Sequence, residues 1–118
     1  MKAFTDISQS KKLAEILPLE SADMYFEKGI GGNYKESFGN YADMCIAEIM
    51  LGIKTISCWS LTALLSVLPY PSLHKTFAGW RCDSYDKEGK TCKLGENADN
   101  PIDACVAMVE KLHKLNLL

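Results

Sequence analysis

His74, Cys82 and Cys92 are the residues of this chain whose types could do chemistry together. A thiol within reach of an imidazole makes a nucleophile with its base. No nucleophile-elbow or protease-like motif surrounds any of the three. The simpler expectation is a surface histidine, with Lys75 beside it, and two reduced thiols on a hairpin. Cys82 and Cys92 could also face each other as a disulfide or redox pair. The loop between them leaves that register open.

The other reactive types give less. The cysteines are Cys45, Cys58, Cys82, Cys92 and Cys105. None of them pairs at C-x-x-C spacing, and neither His74 nor His113 is placed to complete a zinc site. In a reducing compartment all five behave as small hydrophobes. His113 falls near the end of the last helix, where its charged form suits the dipole. The run Gly29-Ile30-Gly31-Gly32-Asn33 lacks the G-K-[ST] of a phosphate loop and reads as a turn. Asp83, Asp86, Glu88, Glu96 and Asp99 lack calcium-loop spacing and read as a solvated surface. No catalytic residue, metal site or cofactor is assigned from these patterns. The interaction candidates are aromatic: Tyr70, Trp80 and Tyr85, on or beside a hairpin whose outer face could anchor a partner. The competing expectation is that Trp80 packs under the C-terminal helix.

These side chains need elements to position them. Asn100-Pro101-Ile102-Asp103 marks a helix start: cap, proline at the first position, and an acid three residues on. Ile102, Cys105, Val109 and Leu112 follow at helical spacing. A first helix is expected over about Asp6 to Leu17, capped by Asp6 with Gln9 and stopped by Pro18. Ala22 to Glu27 alternates as a half-buried strand. The glycine-rich segment to Asn40 reads as a loop. Tyr41 to Ile53 fits strand or helix, and the Gly-Asn start and Gly52 stop favour strand. A buried helix starting at Ser57 or Cys58 runs to Pro69, with Leu61, Leu64, Leu65 and Leu68 on one side. A hairpin follows from Leu73. Gly79 marks a bulge or a close backbone approach, and Asp86-Lys87-Glu88-Gly89 makes the turn.

The expected fold is α+β. A small antiparallel or mixed sheet of three or four strands, including a C-terminal hairpin, packs with about three helices in a single domain over residues 1–118. At 118 residues the chain buries enough surface to fold without metal or disulfide. A net charge of −2 with no basic cluster longer than Lys11-Lys12 argues against nucleic acid. No stretch of about 18 apolar residues would span a membrane. The N-terminus has no apolar run of a secretory signal. A cytoplasmic protein is expected.

Four short blocks are similar to known sequences: Gln9-Ser10-Lys11-Lys12-Leu13, Glu20-Ser21-Ala22-Asp23-Met24, Trp59-Ser60-Leu61-x-Ala63-Leu64-Leu65-x-x-Leu68-Pro69 and Asn100-Pro101-x-Asp103-Ala104-Cys105. With them the chain resembles small uncharacterised proteins of gut Bacteroidales and their phages or mobile elements. The resemblance implies an accessory bacterial or phage protein and assigns no catalytic residue. Two functions compete. One is a non-enzymatic protein that binds another protein or a second copy of itself. The other is a small cysteine- or histidine-dependent enzyme or ligand binder built on His74, Cys82 or Cys92.

Overall fold

Three asparagine or aspartate caps organise the helices of this chain. The structure, a computed structural model, describes residues 2–29, 31–85 and 92–118. Asp6 caps α1 (Ile7–Ala14), Asn40 caps α2 (Tyr41–Leu51) and Asn100 caps α4 (Pro101–Lys114). In each, the side-chain oxygen accepts the N–H three residues on, which satisfies one of the orphan donors of the first turn. Ser60 does the same for α3 (Leu61–Val67). A single 3-10 turn, Leu19–Ser21, follows Pro18.

The strands form two antiparallel three-stranded sheets, an α+β fold. The first sheet has the order β2-β1-β3, from β1 (Met24–Lys28), β2 (Tyr34–Ser37) and β3 (Thr55–Cys58). The second runs β4-β5-β6, from β4 (Pro71–Thr76), β5 (Gly79–Tyr85) and β6 (Cys92–Ala98). The strand content expected for one sheet is thus divided between two.

Each sheet side is set by the period of two. On β1, Met24 and Phe26 point one way and pack with Cys58, Phe4 and Ile7. Tyr25 points the other way and packs with Met44 and Ala47 of α2. The first sheet is therefore covered on one face by α1 and Phe4 of the N-terminal segment, and on the other by α2. The main core joins α1, α3 and α4 with the inner face of the second sheet. Leu13, Trp59, Leu64, Cys82, Ile102, Met108 and Leu112 have no exposed surface there. Burying a large aliphatic side chain contributes roughly 1.5–3 kcal/mol, so this cluster carries most of the fold's hydrophobic stabilisation. Trp59 keeps its indole N–H satisfied through Ser21 Oγ at 2.9 Å.

Four expectations change. Tyr41 to Leu51 is helix, not strand, because the Asn40 and Asp43 side chains form a capping box and Gly52 closes the last turn at φ +64°. The glycine-rich segment holds a strand, β2, which pairs with β1 through Tyr34↔Lys28 to Ser37↔Tyr25. Ser57 and Cys58 end β3 instead of opening a helix; Ser60 is the cap, held by Asp23 through both its N–H and its hydroxyl. The run from Pro71 to Tyr85 is a hairpin in its own right, turning at Phe77-Ala78. Gly79 starts β5 at φ +122°, where a Cβ would fall 2.5 Å from the Ala98 carbonyl oxygen. That is the close backbone approach expected at this glycine. The expected turn Asp86–Gly89 lies outside the described residues.

Candidate functional site

The antiparallel register of the second sheet decides which reactive groups can meet. His74 lies opposite Arg81, and Leu73 opposite Cys82. Neighbouring positions of a strand face opposite sides. His74, Arg81 and Asp83 therefore share the outer face, while Cys82 points inward to α4. Cys82 and Cys105 are both fully buried, and their thiols are hydrogen-bonded. His74 and Cys82 are thus separated by the sheet itself and do not form a nucleophile–base pair. Cys92 lies opposite Tyr85 and Cys82 opposite Glu96, so the two cysteines of the hairpin are not partners in the ladder. The Cys92 side chain lies outside the described residues.

Buried thiols are hard to ionise. The Cys105 thiol is held far above its ordinary range, by its contact with Cys82 first and by burial second. A hydrogen bond from Cys105 acts in the opposite direction on Cys82 and lowers it, against burial. Cys58 is raised chiefly by burial, although Thr5 and Ser10 offer it hydrogen bonds. Cys45, Cys58, Cys82 and Cys105 are all free thiols, and Cys45 on α2 is the most accessible of the four.

The outer face of the second sheet carries a compact polar cluster. Arg81 Nε donates to Asp83 Oδ1 at 3.0 Å, and the carboxylate is mostly buried. His74 Nε2 stands 3.9 Å from Asp83 Oδ2, an ionic contact only when the imidazole is protonated. Asp83 sits where β6 carries one extra residue, between the pairs Cys82↔Glu96 and Ser84↔Lys93. The arrangement neutralises a carboxylate inside a twisted sheet. The sequence had His74 and Asp83 in view separately; only the strand register brings them together.

The three aromatic candidates do not make one patch. Trp80 is half-buried at one end of the sheet, opposite Lys75 and Ala98, and packs against the main core. Tyr70 and Tyr85 stand at the other end, beside Pro71 and Ser84. Pro69 carbonyl accepts from both the Tyr85 N–H and the Ser84 hydroxyl there. Tyr70 is exposed, at φ +46°.

A surface that sequence reading did not single out is more extensive. α2 has two charged residues, Asp43 and Glu48, and is otherwise apolar. Met44 and Ala47 pack on the first sheet. Ala42, Cys45, Ile46, Ile49 and Met50 recur at helical spacing on the opposite side. Ile46 is 57%, Ile49 79% and Met50 74% exposed, and Phe38, just before the cap, is 84% exposed. A helix apolar all round is normally buried on all sides. The outward stripe of α2 is not. Grooves exist elsewhere, the largest among those described being about 460 Å³ between the ends of α1 and α4, lined by Ile16, Leu17, Val67, His113 and Leu118. None of the three described grooves is lined by His74, Cys82 or Asp83. Among the described residues no group of three histidine, cysteine or acidic side chains is placed to hold a metal, and no helix is long and apolar enough to cross a membrane.

No family model, curated protein or solved structure matches the chain.

Proposed function

We propose that this protein works by binding another polypeptide, and that the outward face of α2 is its docking surface. The observation that carries the reading is the run Ile46, Ile49 and Met50, standing in solvent on a well-capped helix. A contiguous apolar patch of this kind is characteristic of protein interaction sites. The free, enclosed thiols Cys58, Cys82 and Cys105 support residence in a reducing compartment such as the cytoplasm.

The test is the triple variant Ile46→Ser, Ile49→Glu, Met50→Ser. If the face serves docking, the variant keeps its helical circular dichroism and its thermal midpoint, since exposed substitutions change stability by only about ±0.5 kcal/mol. Wild-type protein held dilute binds a hydrophobic reporter dye, and the variant does not. Equal dye binding by the two proteins, or collapse of the variant's fold, refutes the docking surface.

A further inference from the structure

We propose that Cys82 and Cys105 are a modification site, a buried dithiol that hydrogen peroxide closes to a disulfide, bolting β5 to α4 through the main core.

The placement comes from two elements that meet in that core. Cys82 lies in the middle of β5, on the face turned to α4. Cys105 lies on the buried stripe of α4, one turn after Ile102 and one before Val109. The helix packs directly on this strand. Both side chains have no exposed surface, and the two thiols are hydrogen-bonded to each other. Contact between the side chains is the first requirement of a disulfide, because cysteines that point apart cannot be bridged without backbone movement.

The other described thiols have different neighbours. Cys58 Sγ lies 3.6 Å from the Thr5 hydroxyl and 3.4 Å from the Thr5 carbonyl oxygen. Cys45 lies beside Tyr41. Among the described residues, Cys82 and Cys105 are the thiols that touch one another.

The pair is asymmetric. The hydrogen bond from Cys105 favours the Cys82 thiolate and keeps the proton on Cys105. Cys82 is therefore the sulfur that attacks. It takes one oxygen of the peroxide as the O–O bond breaks. The other oxygen leaves as water with the Cys82 proton, and Cys82 becomes a sulfenic acid. The Cys105 sulfur then displaces that hydroxyl, which leaves as a second water with the Cys105 proton. Two thiols lose two electrons to one peroxide, and one S–S bond forms.

Enclosure decides the product. Hydrogen peroxide is little larger than water and reaches the pair through brief local opening of the core. Bulky thiols and alkylating reagents do not follow it. The sulfenic acid thus meets Cys105 before any outside thiol. The bond closes the chain between the two cysteines, which contains β6 and the start of α4, and so restricts the unfolded state.

The experiment is peroxide treatment of the full chain in a Cys45→Ser background, which removes the most accessible of the described thiols. Each remaining cysteine falls in its own tryptic peptide, so a bond is assigned by mass. Treatment of the native protein is expected to link the peptides of Cys82 and Cys105. The thermal midpoint is expected to rise by roughly 10 °C and to return when dithiothreitol is added. Cys105→Ala treated in the same way is expected to show no rise. Mapping in the parent protein tests the pair even where that variant folds poorly.

Thiols that all persist, counted after denaturation, once the exposed Met50 has become its sulfoxide overturn the proposal. So does a linked pair containing Cys58 or Cys92, or a Cys82–Cys105 bond that forms only after urea is added. A mapped Cys82–Cys105 bond that leaves the midpoint unchanged, or an equal rise in Cys105→Ala, overturns the bolt.

Discussion

The Asp83 carboxylate fills the space that a side chain on Gly95 would need. A Cβ at Gly95 would fall 2.5 Å from the Cys82 carbonyl oxygen and closer still to Asp83 Oδ1. The bare glycine lets Asp83 fold down over β6 and take the hydrogen bond from Arg81. A local backbone choice and a buried charge are thus one feature.

Gly95→Ala is expected to destabilise the protein by about 2 kcal/mol or more, because the obstruction is backbone and a paired carboxylate, not the end of a flexible side chain. Asp83→Asn with Gly95 intact is expected to cost less. Urea unfolding monitored by circular dichroism measures both. A Gly95→Ala midpoint equal to that of wild type contradicts the close approach.

Lys2 ties the starts of α1 and α4 together. Its Nζ lies 3.0 Å from Asp6 Oδ2 and 2.9 Å from Asp103 Oδ1, and Gln9 bridges to Asp103 as well. The backbone N–H of Gln9 and the Lys2 ammonium hold Asp6 below the ordinary carboxylate range. Burial works against ionised Asp103, but hydrogen bonds from Lys2, Gln9 and Asn100 outweigh it and lower that group too. Depressed carboxylates stabilise the fold above their unfolded pKa, and the gain disappears as pH falls through the folded value. Lys2→Met is therefore expected to lower stability at neutral pH by less than about 1 kcal/mol, since the pair is partly exposed. It should also make the acid limb of the stability curve shallower. Thermal midpoints between pH 2 and 7 for both proteins decide it, and superimposable acid limbs count against the bridge.

Ser21 is expected to matter through Trp59. The indole is fully buried and its N–H reaches Ser21 Oγ. Ser21→Ala removes the acceptor and leaves a buried donor unpaired, a loss of about 1–2 kcal/mol. Trp59→Phe removes donor and ring edge together, and its cost should be dominated by the lost packing. A Ser21→Ala variant as stable as wild type shows that the N–H finds another partner.

Thiol chemistry should follow depth. Cys45 is expected to react with a maleimide at neutral pH well before Cys58, Cys82 and Cys105, which are enclosed. Peptide mass mapping after timed quenching gives the order. Early modification of Cys82 or Cys105 in the native protein would be incompatible with the packing of β5 on α4.

Much of the local structure is written in the sequence. Asn100, Pro101 and Asp103 define the start of α4, and Asp6 with Gln9 that of α1, because a cap is a contact between residues three apart. Asn40-x-x-Asp43 repeats the signal of Asn100-x-x-Asp103, and it marks α2. It was obscured because α2 is apolar on both sides, so neither a period of two nor one of 3.6 stands out. The same doubled apolarity is what leaves Ile46, Ile49 and Met50 bare to solvent. The partners of β2 and β3, the separation of His74 from Cys82, the closeness of His74 to Asp83 and the division into two sheets depend on register between distant strands. A one-residue slip reverses every side chain, and no local pattern encodes it. Sequence determined where the helices begin; packing decided which of their faces remain to be covered.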